Sequence, residues 1–130
     1  LLYYRNEHII TAFFHMRKGD MAKAEKALGR IKQPEYLVKG QQAYYWFLRG
    51  IMESQTRSLG KAETALRKAL SIGLRNASDQ AMAKLNLAGI AMNKRRKREA
   101  TNLLAEAKKL DKRKLLDEQI KMMKQQMKKI

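Results

Sequence analysis

The chain has 130 residues and a net charge of +17, and 45% of its residues are hydrophobic. This length fits one domain and this apolar fraction fills a core, which argues against two independent domains and against a wholly disordered chain. The chain contains no cysteine, which excludes disulfides and cysteine-ligated metal sites. The excess of positive charge favours acidic partners, whether nucleic acid, anionic lipid headgroups or acidic proteins.

The N-terminal segment reads Leu1-Leu2-Tyr3-Tyr4-Arg5. Apolar residues followed by tyrosines and then a basic residue are typical of the point where a membrane span leaves the bilayer on the cytosolic side. The alternative is an ordinary apolar helix start. The chain has no run of about 18 to 20 apolar residues and no signal-peptide pattern. We therefore expect a cytoplasmic protein, and a position at the inner face of a membrane, through a span before Leu1, stays open.

Apolar spacing of the helical kind predicts seven helices separated by polar, Gly-containing or Pro-containing connections. In chain order they span about residues 6–18, 21–32, 41–56, 59–72, 79–93, 97–110 and 112–130. Asp20, Ser58 and Ser78 are the predicted N-caps. The last helix carries an apolar face, which predicts a cap on the rest of the fold. Its members are Leu116, Ile120, Met123, Met127 and Ile130.

An internal period of 38 residues groups these helices in pairs. Residues 23–28, Lys-Ala-Glu-Lys-Ala-Leu, align with residues 61–66, Lys-Ala-Glu-Thr-Ala-Leu. Three sets of residues recur at this period: Ala12, Gly50 and Ala88; Ala24, Ala62 and Ala100; and Leu28, Leu66 and Leu104. Small residues let two antiparallel helices approach closely, and a leucine one turn later fills the remaining space. The sequence predicts a single domain, residues 1–130, with three helical hairpins at about 6–32, 41–72 and 79–110.

This pattern resembles the tetratricopeptide repeat (TPR), a helical hairpin with an early aromatic residue, a small residue and alanines at fixed intervals. The second hairpin carries the likeness through Trp46, Gly50, Ala62, Leu66 and Ala69, and the third through Leu87, Ala88, Ala100, Leu104 and Ala107. The first hairpin has Gly19-Asp20 in its turn but His8 at the aromatic position and Ile31 at the second alanine. The resemblance, which extends to small bacterial TPR proteins, implies an all-α fold. Specifically, it implies an α-solenoid of three TPR-like hairpins closed by a C-terminal capping helix.

In the TPR family the first helix of each repeat lines a concave binding surface. The corresponding positions here are Ile9, Phe13, Met16, Arg17, Tyr44, Phe47, Ile51, Gln55, Met82, Leu85, Met92 and Asn93. A surface so apolar and aromatic implies a scaffold or adaptor that holds a partner peptide or helix. Two alternatives stay open. The chain's own last helix or a second copy covers the groove, or the assigned register is off by one position and these are core residues.

The basic run Lys94, Arg95, Arg96, Lys97 and Arg98 is predicted to lie in the turn of the third hairpin. Positive charges entering a helix N-terminus oppose the helix dipole, so this run favours an anionic ligand, and the alternative is a solubilising turn. The second functional hypothesis is therefore a basic module that binds RNA or an anionic membrane surface through this run and the C-terminal helix. All aromatic residues lie at or before Phe47, which argues against sequence-specific RNA recognition by base stacking.

The chain lacks the residue patterns of common enzymes. His8 and His15 are seven positions apart in a predicted helix, about 10 Å along its axis, which is too far to share one metal ion. No glycine-rich phosphate loop and no serine elbow occurs in the sequence. We therefore predict that the protein is not an enzyme and has no catalytic residues, cofactor or metal.

Overall fold

The computed structural model describes residues 7–56 and 58–129, and every regular element in these ranges is helical. In chain order the α-helices of the described ranges are α1 Glu7–Arg17, α2 Met21–Gly29, α3 Lys39–Gln55, α4 Leu59–Ile72, α5 Ala77–Asn93, α6 Lys97–Leu110 and α7 Asp117–Met127. A short 3-10 helix, Pro34–Tyr36, precedes α3. The predicted all-α class is confirmed.

The helices form two compact units, of which the first ends at Leu74 and the second begins at Arg75, whereas the sequence predicts one domain over residues 1–130. In the first unit α1 packs on α2 and α3, and α3 packs on α4. In the second unit α5 packs on α6, and α7 packs on both. The pairs α1–α2, α3–α4 and α5–α6 coincide with the three predicted hairpins.

The small residues of the 38-residue period lie in the core of each hairpin. Ala12, Ala24, Ala62, Ala88 and Ala100 are completely buried, and Gly50 is buried as well. Leu28, Leu66 and Leu104 are the largest side chains that are completely buried among the described residues. The tightest crossing is in the second hairpin, where a Cβ at Gly50 would lie only 2.6 Å from Leu66 Cγ. The predicted burial of these small residues is confirmed, and close approach of two helices is seen at Gly50.

The turn inside each hairpin repeats one backbone hydrogen bond at the same period. The N–H of Asp20 donates to the carbonyl of His15, that of Ser58 to Glu53 and that of Arg96 to Ala91, at 2.8, 2.9 and 2.8 Å. A hydrogen bond that spans five residues after a helix end is the mark of a Schellman turn, whose preceding residue adopts a left-handed conformation. Gly19 and Arg95 are those residues in the first and third hairpins, with φ of 82° and 60°.

The helix N-termini follow the sequence prediction at two of three places. Asp20 caps α2, because its carboxylate accepts a hydrogen bond from the Lys23 N–H at 3.1 Å. Ser58 occupies the N-cap position of α4, although its hydroxyl makes no capping bond. The assignment of Ser78 is wrong, because the Asn76 side chain accepts from the Ser78 N–H at 2.8 Å and starts α5 two residues earlier than predicted.

The last helix is shorter than its predicted range of 112–130, since α7 begins only at Asp117. The preceding turn is held by Asp111, the one charged side chain that is buried among the described residues. Its two carboxylate oxygens accept hydrogen bonds from the N–H groups of Leu115 and Leu116, at 3.0 and 2.7 Å. Leu116, Ile120 and Met127 are buried, so α7 covers the second unit with the predicted apolar face.

Candidate interaction surfaces

The first unit carries an aromatic surface formed by Phe13 and Phe14 of α1 and Tyr44 of α3. The Phe13 ring centroid lies 5.9 Å from that of Phe14 and 6.2 Å from that of Tyr44. Phe13 and Tyr44 are half-buried, while Phe14 is 53% exposed. The buried Phe47 lies beneath, 5.7 Å from Tyr44. The rings therefore support one another, and an anchored aromatic patch of this kind can receive an apolar side chain with little loss of conformational freedom.

A cation borders the aromatic surface. The Arg17 guanidinium lies 5.6 Å from the centroid of Phe13, and the Arg17 residue is exposed. Such a cation–π contact holds the arginine at the edge of the patch with an interaction free energy of about 0.5 to 1 kcal/mol at an exposed site. The geometry combines apolar contact at the centre with a positive charge at the rim.

Three of the residues that the sequence assigned to the groove belong to the core instead. Ile9, Phe47 and Leu85 are 5%, 6% and 5% exposed, and they occupy one register, 38 residues apart. The physical reason is that each lies one helical turn before a small crossing residue, Ala12 in the case of Ile9, and so faces the second helix of its hairpin. The assignment of these three to an accessible surface is therefore wrong.

The other assigned positions share their burial within each register. Residues among them that are 38 or 76 positions apart have the same degree of exposure. The half-buried sets are Phe13 with Ile51, Tyr44 with Met82, and Met16 with Met92, and the exposed set is Arg17, Gln55 and Asn93. The two units are separate in this respect: the aromatic members all belong to the first unit, and Met82, Met92 and Asn93 to the second. The aromatic surface is thus a feature of the first unit alone.

The five residues of the basic run are all exposed. Lys94, Arg95 and Arg96 form the α5–α6 turn, as predicted, whereas Lys97 and Arg98 are the first residues of α6. The backbone of Arg95 adopts a left-handed conformation. Arg96 occupies the N-cap position of α6, and its side chain makes no capping hydrogen bond. Arg96 contacts the carboxylate of Glu99 at 3.9 Å. The equivalent positions of the first hairpin hold Gly19 and Asp20, which suit a left-handed residue and an N-cap far better. The fold therefore tolerates two arginines at places where it prefers other residues.

The first unit also has an open depression between α3 and α4, which the sequence analysis did not predict. Its volume is about 500 Å³, and it is lined mainly by Tyr45, Trp46, Arg49, Lys61 and Thr64. Arg49 donates a 2.9 Å hydrogen bond to the Tyr45 hydroxyl, and the Lys68 ammonium lies 4.3 Å from the Trp46 ring centroid. The signal in the sequence was the run of four aromatic residues at 44–47, since four consecutive helical positions cannot all point to one surface.

The described residues contain no cluster of three or more potential metal-ligating side chains. Among the ionisable groups, burial raises the pKa of the Asp79 carboxyl above its ordinary value of 3.8. No described helix combines the length and apolarity that crossing a bilayer requires, and residues 1–5, on which the membrane-span hypothesis depends, lie outside the described part of the chain. Comparison of the whole chain with protein-family models, curated proteins and solved structures finds no match.

Proposed function

We propose that this protein is a non-enzymatic interaction scaffold of the TPR type, whose aromatic surface holds a helix or extended segment of a partner protein. The observation that carries the proposal is the half-exposed set Phe13, Phe14 and Tyr44, with Arg17 at its edge. Aromatic residues and arginine are the side chains that most often dominate the binding free energy of protein interfaces.

The chemistry of the partner follows from the same geometry. Apolar anchors on one face of a helix, spaced three or four residues apart, would contact the rings. A carboxylate beside those anchors would meet Arg17, and the +17 charge of the chain would accelerate the encounter with an acidic segment. We therefore expect a partner segment that combines leucine-like or aromatic anchors with acidic residues.

The proposal includes a position at the cytoplasmic face of a bacterial membrane. It is supported by the order of residue types in the segment 1–5 and by the excess of basic residues. The bacterial origin is inferred from the resemblance to small bacterial TPR proteins. Sequencing the gene upstream of the codon for Leu1 tests the location, and an open reading frame without an apolar segment there would count against it.

Peptide selection tests the scaffold proposal directly. The purified chain is used to select binders from a displayed library of random peptides, and dissociation constants of the enriched peptides are measured by fluorescence anisotropy. We expect acidic peptides with apolar anchors, and we expect Phe14→Ser and Tyr44→Ser each to weaken binding about tenfold or more, as for hot-spot residues.

The control is Met122→Ser in the second unit, because Met122 is 59% exposed and its exposure is close to that of Phe14. Circular dichroism of each variant establishes that helix content is unchanged. If no peptide is enriched, or if Met122→Ser weakens binding as much as Phe14→Ser, the aromatic surface is not the binding site. A dimer in sedimentation equilibrium that Phe14→Ser dissociates would assign the surface to a second copy of the chain instead.

A further inference from the structure

Basic residues from two distant segments meet at one end of the second unit. The Thr101 hydroxyl lies 3.8 Å from the Met127 sulfur, and it donates a 2.9 Å hydrogen bond to the Lys97 carbonyl. The end of α7 therefore lies beside the first turns of α6. The other end of α7 is held at the C-terminus of α6, because Asp111 accepts from the Leu116 N–H. The two helices are thus antiparallel, and the last turn of α7 adjoins the α5–α6 turn.

This arrangement creates what we term the basic pole. Its members are Lys94, Arg95, Arg96, Lys97, Arg98, Lys124, Lys128 and Lys129, all of them exposed. Within the described segments 94–101 and 124–129 the only acidic residue is Glu99, which lies 3.9 Å from Arg96. The acidic residues of α7 itself, Asp117 and Glu118, are in its first turn, at the opposite end of the helix. Eight cations and one carboxylate at one end of a small helical unit produce a strong local positive potential.

The kind of anion can be narrowed from the side chains of the second unit. The sequence has no aromatic residue after Phe47, so the pole offers no ring on which an unpaired base could stack. A layer of lipid headgroups instead presents its phosphates as a plane, which cations gathered at one end of a unit can approach together. The pole therefore suits an anionic lipid surface better than unpaired RNA.

We propose that the basic pole docks the second unit onto an anionic lipid membrane. The lysines and arginines lie among the headgroup phosphates, where each strengthens partition roughly fivefold. The inference rests on the second unit alone and is independent of peptide binding by the aromatic surface. It refines the sequence hypothesis of a module formed by the basic run and the C-terminal helix, because the last turn of that helix is the part that lies beside the run.

The sharpest variant replaces the arginines of the pole by the residues of the first hairpin, Arg95→Gly together with Arg96→Asp. Because Gly19 and Asp20 occupy the equivalent turn, this change suits the fold, so loss of binding cannot be ascribed to unfolding. It alters the charge by −3 and is expected to weaken partition onto anionic vesicles roughly 100-fold at about 0.1 M salt. Lys124→Gln with Lys128→Gln, on the other contributing segment, alters the charge by −2 and is expected to weaken partition roughly 30-fold.

The matched control is Lys26→Glu with Lys32→Gln in the first unit, where both residues are exposed. It alters the net charge by the same −3 but lies outside the pole, and we expect less than about a threefold effect, since separated surface charges are screened. Partition is measured by sedimentation of the full chain with vesicles containing about one third anionic phospholipid, and with neutral vesicles, at about 0.1 M salt.

A parallel titration with duplex RNA separates lipid from nucleic acid, and we expect tighter binding to the anionic vesicles. The proposal is overturned by equal partition onto neutral and anionic vesicles, or by equal effects of the pole variant and the control. Tighter binding to RNA than to vesicles, at equal phosphate concentration and salt, would also overturn it and assign the pole to nucleic acid.

Discussion

Gly50 offers the most direct test of the close helix approach on which the hairpins depend. A Cβ at this position would lie 2.6 Å from Leu66 Cγ, 2.7 Å from Leu66 Cδ2 and 3.2 Å from the Leu66 backbone nitrogen. A change of the Leu66 rotamer can relieve the first two contacts but not the third. Gly50→Ala should therefore force the helices α3 and α4 apart.

The expected magnitude results from two opposing effects. Overpacking in a well-packed core costs about 1 to 3 kcal/mol. Replacing glycine by alanine inside a helix contributes about 1 kcal/mol in the other direction. We expect a net loss of up to about 2 kcal/mol in the free energy of unfolding of the first unit, which is a large part of the stability of so small a unit.

Gly60→Ala is the matched control, because Gly60 lies in α4 and a Cβ there would have no atom within 4 Å. It should stabilise the unit by up to about 1 kcal/mol. The assay is urea unfolding followed by the fluorescence of Trp46, the single tryptophan, which lies in α3. If Gly50→Ala proves as stable as Gly60→Ala, the inferred crossing of α3 and α4 is too close, and the argument from small residues fails for this hairpin.

A double-mutant cycle attributes the effect to Leu66. Leu66→Ala alone should cost about 2 to 5 kcal/mol as a cavity in the core. In that background Gly50→Ala should cost at least about 1 kcal/mol less than in the native chain, because most of the overlapping atoms are gone. Additive effects would mean that the two residues do not meet.

Three further predictions concern the turns and the helix termini. Arg95→Gly should stabilise the second unit by about 1 kcal/mol, because glycine adopts a left-handed backbone conformation more easily than arginine. Arg96→Asp should stabilise it by about 1 kcal/mol as well, because aspartate can cap the N-terminus of α6. Urea unfolding followed by far-ultraviolet circular dichroism measures both effects. Asp111→Ala should cost about 1 to 3 kcal/mol and speed hydrogen exchange of the Leu116 amide, which loses its acceptor; unchanged exchange would refute that role. Because burial raises the pKa of Asp79, the native chain should lose stability relative to Asp79→Asn as pH rises from 3.8 through the raised pKa, and a constant difference across that range would contradict it.

The fold was predictable from the sequence wherever it depends on repetition. The recurrence of Ala24, Ala62 and Ala100 predicts a buried helix crossing, because only small side chains fit where two helix backbones approach closely. The helix ends were less predictable, since they depend on local competition. Asn76 is the N-cap in place of Ser78, because its amide oxygen accepts from the Ser78 N–H and so starts the helix at Ala77.

The accessible surface was harder to predict than the core. Ile9, Phe47 and Leu85 are as apolar as Phe13 and Tyr44, and composition alone does not distinguish a core leucine from a groove leucine. Their burial depends on which helix face meets the second helix of the hairpin, and a shift of one residue rotates a helical position by about 100°. The capping role of Asp111 could not be predicted from the sequence, because a single acidic residue in a lysine-rich segment has the pattern of a solvated charge. Its role depends on the turn that brings the N–H groups of Leu115 and Leu116 to its carboxylate.

Comparison within the repeats separates what the fold requires from what it only tolerates. The α1–α2 and α5–α6 turns make the same hydrogen bond, at 2.8 Å in both, yet one contains Gly19-Asp20 and the other Arg95-Arg96. Both pairs close the turn, but the arginines do so with a left-handed residue that bears a side chain and with an N-cap that makes no capping bond. The exposed Arg96–Glu99 ion pair, at 3.9 Å, contributes little to stability. Because the equivalent turn of the first hairpin has better-suited residues, the proposed contact with anionic lipid would account for two arginines at this place.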